Sequence, residues 1–219
     1  MATDKSFARE WIEILIWATV IALLARTFVA QPYKIPSASM EDTLMSGDYV
    51  VVEKISKLTH EFQIGEVVAF EYPDDPSKDF VKRIVAKGGQ TVEIRNKELF
   101  VDAKPVEMPA KGKHIDATVF PAEYNPRDNY GPVLVPQDQF FMMGDNRDNA
   151  LDSRFWRTHF VDKRLVKGRA FIIYWSLAED KGAPQGSLLN PITLVQSIIY
   201  NAMHIMDRGR FDRIGTTVQ

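Results

Sequence analysis

Two short runs decide the fold: Gly65-Glu-Val-Val-Ala-Phe-Glu-Tyr72 and Phe80-Val-Lys-Arg-Ile-Val-Ala86. Each is rich in β-branched and aromatic residues, too short for a globular helix, and bounded by Gly, Pro or Asp, which is the pattern of a strand. Similar runs follow on either side. Asp48-Tyr-Val-Val-Val-Glu-Lys-Ile55 reads as a strand, and Gln90 to Asp102 as a hairpin turning near Asn96-Lys97. Further strands are expected at Gly131–Val135, Gln139–Met143 and Leu165–Trp175. Strands at this spacing, with no long helices between them, favour an antiparallel or mixed β fold over βαβ units. The stretch from Lys104 to Pro132 is rich in Pro, Asn, Asp and Gly and reads as a loop-rich excursion between core strands.

Upstream, residues 14–25 read ILIWATVIALLA, and the apolar run extends from Trp11 to Ala30. As helix, about 20 residues span roughly the 30 Å of a hydrocarbon core. Glu13 and Arg26 fall near its ends, where long side chains reach the headgroups. Lys5 and Arg9 are balanced by Asp4 and Glu10, and no small-x-small exit follows, so an uncleaved transmembrane anchor is expected rather than a secretory signal. Lys34, Lys54 and Lys57 follow the run, so the positive-inside rule does not orient it. Near the other terminus, Ser187 to Met206 carries no formal charge, and Leu188, Ile192, Val195, Ile199 and Met206 recur at helical spacing. Pro191 and the interspersed Asn, Gln, Ser and Thr point to an amphipathic surface helix that touches the membrane or caps the body, not to a second span.

Composition removes several chemistries. The 219 residues contain no cysteine, which excludes disulfides, thiolate metal sites and cysteine nucleophiles. A net charge of -2 offers no basic surface for nucleic acid. His60, His114, His159 and His204 are scattered without a metal-binding pattern, and each is read as solvated or locally satisfied; no metal or cofactor is expected.

Three islands carry chemically capable residues: Ile35-Pro-Ser-Ala-Ser-Met40 running on to Ser46-Gly-Asp48; Phe80-Val-Lys-Arg-Ile-Val85; and Gly144-Asp-Asn-Arg-Asp-Asn-Ala-Leu-Asp-Ser-Arg154. Taken singly they also suit a hydroxyl-capped turn, a solvated strand pair and an ion-paired turn. There is no GxSxG elbow and no SxxK, so two common serine-hydrolase sites lack their signatures. A serine nucleophile still needs a base. In an extended Phe80–Ile84, alternation puts Lys82 between Phe80 and Ile84 on one face and Arg83 on the other. Apolar neighbours lower a lysine's pKa, as a lysine base requires.

The order and spacing of the three islands resemble the conserved boxes of bacterial type I signal peptidases (leader peptidases), from the anchor to about Trp175, with Arg210-Phe-Asp-Arg-Ile-Gly215 resembling the family's closing segment. The resemblance implies a mainly β fold: a β catalytic core with a small inserted β-containing cap, preceded by one transmembrane helix. The expected division is 1–31 for tail and anchor, 32–103 with 131–219 for the core, and 104–130 for part of the cap, which begins as early as residue 90.

The resemblance also implies a Ser/Lys dyad, with Ser39 as nucleophile and Lys82 as general base. The hydroxyl of Ser37 and the N–H of Ser39 would form the oxyanion hole. Arg83, Asp145, Asn146, Arg147, Asp152, Ser153 and Arg154 would form a structural network beside them. The implied substrates are signal peptides of exported preproteins, with small residues at the first and third positions before the cut. Membrane lipid and, transiently, the export translocon are the implied partners. The implied location is the bacterial plasma (inner) membrane, single-pass, with the catalytic body on the periplasmic side.

Two positions depart from the family pattern. Asp42 stands where proline is usual, which is read as altering loop rigidity more than chemistry. Ala150 stands where many members carry a serine that holds the lysine amine. Ala150 leaves open a relative that binds signal peptides without cutting them, and a peptidase dedicated to few substrates is a third reading.

Overall fold

The structure is a computed structural model and describes residues 7–59, 61–180, 182–184, 186–187 and 190–219. Asp4, Lys5, His60 and Leu188, each used in the sequence reading, lie outside the described residues.

The N-terminal run is helix α1 (Phe7–Leu24), continued by a π-helical turn over Ala25–Val29. Residues Arg9–Val29 are long and apolar enough to cross a membrane, and no residue of their most apolar window is buried. No linker follows. The chain passes at Ala30 into strand β1 (Ala30–Lys34), which pairs with β2 (Asp48–Glu53), Ala30 opposite Glu53 and Lys34 opposite Tyr49. Sequence periodicity missed β1 because its Ala-Gln-Pro-Tyr-Lys carries no apolar alternation.

The two decisive runs are β3 (Val67–Glu71) and β4 (Asp79–Lys87), paired antiparallel with Val68 opposite Lys82. They lie within a seven-stranded sheet ordered β1, β2, β11 (Val166–Ser176), β3, β4, β9 (Gln139–Met143) and β10 (Val161–Asp162). A second sheet of four strands is ordered β7 (Lys104–Pro105), β6 (Glu98–Val101), β5 (Thr91–Arg95) and β8 (Tyr130–Leu134). Its β5–β6 hairpin turns at Asn96 and Lys97, both at positive φ, the geometry that a two-residue hairpin loop requires. Pairing between these strands is antiparallel throughout, so of the two expected arrangements the antiparallel one is found.

The larger sheet is covered on both faces, which is why Val67-Val68-Ala69-Phe70 is apolar throughout rather than alternating. Val67 and Ala69 pack with Met40, Leu44, Val50 and Ile173, while Val68 and Phe70 pack with Ile84, Phe140 and Trp156. A third cluster joins the sheets, with Val85, Phe141 and Met143 against Val92, Ile94 and Leu99. Met40 is thus a core residue, and it pins the turn that contains Ser39.

The C-terminal apolar segment is α3 (Pro191–Met203), capped at its start by Asn190 Oδ1 on the N–H groups of Ile192 and Thr193, then a short α4 (Ile205–Arg208). The expected helix over 187–206 therefore begins four residues later and breaks at His204. Its polar side faces the body: Tyr200 donates to Asp180 at 2.6 Å, and Arg208 donates to Asn201 and to the carbonyl of Ala178. Ile192, Ile198, Ile199 and Met203 face outward and are exposed. One more short helix, α2 (Ser56–Thr59), follows β2.

Candidate active site

Ser39 lies in a single 3-10 turn, Ala38–Met40, between β1 and β2. Asn146 holds that turn from behind. Its N–H donates to the carbonyl of Ser39 (3.2 Å), and its side-chain amide donates to the carbonyl of Ala38 (3.2 Å) and to Glu41 (3.1 Å). Lys82 enters from the middle of β4. Its Nζ lies 2.6 Å from Ser39 Oγ and 3.1 Å from the carbonyl of Val81, and both side chains are buried. Nζ also sits 5.5 Å from the centre of the Phe80 ring, itself stacked on Tyr72. The alternation read from the sequence therefore puts the amine on the apolar face.

Burial lowers the Lys82 pKa to about 8, against the opposing pull of Asp152 and Asp145. At pH 7 such an amine is neutral in about one molecule in ten, whereas an ordinary lysine is neutral in far fewer. A neutral Nζ can accept the Ser39 hydroxyl proton, which is the chemistry a serine nucleophile needs. The hydroxyl of Ser37, two residues upstream, is 3.3 Å from Ser39 Oγ. All three groups open into a cleft of about 540 Å³, which Ile35, Phe80, Ala150 and Leu151 also line.

Arg83 points to the other side of β4, as alternation requires. It clamps Asp145 in a fork, Nε to Oδ1 at 2.8 Å and Nη2 to Oδ2 at 2.6 Å, and reaches the carbonyls of Gly65 and Gln219. Asp145 also accepts from Thr43 at 2.6 Å, which ties the turn after Ser39 to the strand of Lys82. Asp152 and Arg154 form a second buried fork, with the guanidinium donating to the carbonyls of Arg127 and Arg147. Ser153 closes the loop on Met142 through its hydroxyl. Arg147 is different. It is buried, pairs with no carboxylate among the described residues, and its guanidinium contacts the Met143 sulfur at 3.8 Å. Burial, with the repulsion of Arg154 behind it, lowers its pKa to about 10.

Supports that pattern reading did not single out come from loops. Lys113, in the excursion, exchanges backbone hydrogen bonds with Asp145 and Arg147, and its ammonium bridges Glu41 (3.1 Å) and Asp42 (2.9 Å). Asp42 is in the left-handed region at φ 75°, a value closed to proline. The turn as it stands in this chain therefore has no room for the proline ring. Asp148 gathers Lys97, His114 and the N–H groups of Ile115 and Asp116. Burial pushes its carboxyl up, but these hydrogen bonds outweigh burial and hold it well below the usual carboxylate range. Asp48 is gripped by Arg213 and Ser176, which fastens the closing segment beneath the turn of Ser39. His159 and His204 each have a backbone carbonyl within 2.8 Å of Nδ1.

A family profile described as signal peptidase, peptidase S26, matches residues 8–175, which include the N-terminal helix, Ser39, Lys82 and the Asp145–Arg154 loop. The chain belongs to the signal peptidase family. It is 33% identical to signal peptidase I of Aquifex aeolicus, over 88% of this chain and 93% of that protein. It is 38% identical to the probable signal peptidase I-1 of Synechocystis, over 77% and 83%, and 34% identical to signal peptidase I S of Bacillus subtilis, over 78% and 92%. As a signal peptidase it is a membrane-associated serine endopeptidase of the Ser/Lys type, and the short Ser–Lys contact, the exposed N-terminal helix and the mainly β core are the physical counterparts of that membership.

Proposed function

We propose that this signal peptidase cuts signal peptides with Ser39 as nucleophile and Lys82 as its base. The observation that carries the reading is the 2.6 Å separation of Ser39 Oγ and a buried amine whose pKa is lowered to about 8. Oγ attacks the scissile carbonyl while its proton passes to Nζ. The new oxyanion is met by the Ser37 hydroxyl and the N–H of Ser39. The Lys82 ammonium then gives that proton to the departing amine as the C–N bond breaks, which leaves an acyl-enzyme. Water, deprotonated by the restored neutral amine, attacks the ester and frees Ser39. Arg83, Asp145, Asn146, Asp152 and Arg154 position these groups without touching the reacting atoms.

In this reading α1 crosses the plasma membrane once and holds the body on the periplasmic side, close to the membrane face, where a signal peptide emerges from the bilayer and from the translocon. The four-stranded sheet and the excursion form the cap. The outward apolar side of α3 rests on the lipid surface, since its polar side is already occupied by the body.

Replacing Ser39 or Lys82 by Ala is expected to abolish cleavage of a preprotein in liposomes while the protein stays folded and membrane-bound. S37A should retain activity reduced roughly 10²–10³-fold, as for loss of one oxyanion donor. Cleavage by S39A at the wild-type rate would remove the assignment. Ala150 favours the second reading, a non-cutting binder, and wild-type turnover above the S39A blank eliminates it. Protease added outside spheroplasts should digest the body; protection there would reverse the orientation.

A further inference from the structure

At the point where the anchor ends, three lysines converge on a small cavity. The last helical turn leaves the carbonyls of Arg26 and Thr27 facing Lys54, whose Nζ donates to them at 3.0 and 3.3 Å. Lys57, on α2, donates to the carbonyl of Arg164 at 3.0 Å. Lys167 comes from β11. With Thr27, Phe28 and Gln31 from the anchor side, these lysines line a cavity of about 300 Å³, and no carboxylate lines it.

The local charge is not balanced. Asp79 and Glu71 engage Lys167 at 2.8 and 3.5 Å. Glu53, next to Lys54 in sequence, is occupied by Arg169 at 3.4 Å and by the N–H of Ser56. Arg164 is held by Asp162. Arg26, Lys54 and Lys57 have no carboxylate within ion-pair distance among the described residues. The crowding registers on Lys54, whose pKa is lowered first by burial and then by Lys167, Arg26 and Lys57, against Asp79. Like charges held together around a void are stabilised by an anion placed in it.

We infer that the Lys54–Lys57–Lys167 cavity binds the phosphodiester of an anionic membrane phospholipid. This rests on the reading that α1 spans a bilayer, but not on which side the body lies. Residues Arg9–Val29 match the hydrocarbon thickness, so their last turn, with Arg26 and Thr27, lies at the boundary with the headgroups, and the cavity opens there. The site supplies ammonium donors, the Thr27 hydroxyl and the Gln31 amide, which match phosphate oxygens and a polar headgroup. Phe28 beside it is exposed, as a residue facing acyl chains would be. Free phosphate has the same oxyanion chemistry. A lipid is the occupant favoured by position, because the anchor holds the cavity permanently among headgroups.

The full-length protein, purified in mild detergent and mixed with equal phosphatidylglycerol and phosphatidylcholine, can be examined by native mass spectrometry for retained lipid. Phosphatidylglycerol should be retained in roughly 10- to 30-fold preference, at about five-fold for each lysine near an anionic headgroup. K54Q/K57Q should lose the preference and K54R/K57R should keep it. If the double variant does not hold its thermal midpoint, K57Q alone should lower the preference about five-fold. Wild type without a preference, or K54Q/K57Q with an undiminished one, overturns the inference. Inorganic phosphate at 10 mM should leave the lipid bound; displacement would assign the cavity to soluble phosphate and overturn the lipid. Flotation with vesicles separates the two premises: a protein that does not float overturns the anchor, whereas one that floats without lipid preference overturns only this site.

Discussion

Lys113 grips Asp42, its Nζ 2.9 Å from the carboxylate, across 71 residues of sequence and from one loop to another. The same ammonium holds Glu41, so two acidic side chains directly after the turn of Ser39 share one cation of the excursion. Lys113 is also fastened by its backbone to Asp145 and Arg147, which belong to the loop that supports the dyad. The turn is therefore held on two sides, by Asn146 behind and Lys113 in front.

Proline should be a poor substitute for Asp42 in this chain. At φ 75° the ring cannot close, so D42P should lose roughly 2–3 kcal/mol of stability and most of its activity. Asp42 is half exposed and the ion pair is correspondingly weak, so K113A should cost only about 0.5–1 kcal/mol. Urea unfolding alongside peptide cleavage checks both, and a D42P protein as stable as wild type would mean that the turn follows another path.

Activity should rise with pH through the Lys82 titration. With a pKa lowered to about 8, kcat/KM should climb about ten-fold per unit below pH 7 and level off above 9. The same shift has a sign for stability. Below about 8 the lysine is charged both folded and unfolded, and its burial destabilises the fold. Above the unfolded value near 10.4 it is neutral in both states and that cost is gone. K82M should therefore be inactive yet more stable than wild type at pH 7, by about 1–3 kcal/mol, with the gain fading towards pH 10. Thermal unfolding across pH 6–10 measures it, and a gain independent of pH would assign the effect to packing instead.

Gly144 should not tolerate a side chain. A Cβ there would stand 2.4 Å from the carbonyl oxygen of Ser39 and 2.5 Å from the Cβ of Ala150. Neither can yield cheaply, since one is backbone and both belong to the site. G144A should therefore displace Ser39 by a fraction of an ångström or more and lower kcat roughly 100-fold, while KM changes little. Steady-state kinetics on one peptide decides this, and near-normal kcat would show that the turn has slack.

Ala150 should limit the rate rather than abolish it. Lys82 Nζ has two hydrogen-bond partners among the described residues, Ser39 and its own neighbouring carbonyl, so the amine is aimed by packing against Phe80 more than by bonding. A hydroxyl added by A150S should raise kcat roughly 3- to 30-fold, equivalent to about 0.7–2 kcal/mol. An unchanged or lower kcat would mean that the apolar seat already aims the amine.

Much of this molecule was legible because local pattern and tertiary role coincide. The runs at Asp48, Gly65, Phe80 and Gln139 are strands close to their expected bounds, and alternation across Phe80–Ile84 separated Lys82 from Arg83 correctly. Strands β7 and β10, two residues each, are too short to leave a pattern, and β1 is defined by its partner rather than by its own composition. In the third box the charged residues read alike, yet Asp145 and Asp152 each take an arginine while Arg147 takes none. Pairing of this kind is set by distances between loops, which spacing along the chain does not encode. Lys113 carries no such signal, and Asp148, although within the third box, gives no hint of its partners for the same reason: they lie on segments with no periodicity to connect them.

The passage from Val29 to Ala30 without a linker turns the anchor and the sheet into a lever with a single stiff joint. Ala30 is already paired with Glu53, and Lys54 already grips the last helical turn, so a tilt of α1 is handed directly to β1 and β2, and thence to the turn that holds Ser39. A thicker or thinner bilayer tilts a helix of fixed length by a different angle. With α1 across a bilayer, as proposed above, membrane thickness would set the height and slope of the cleft above the lipid, and the bilayer would act as the gauge against which the cutting position is measured.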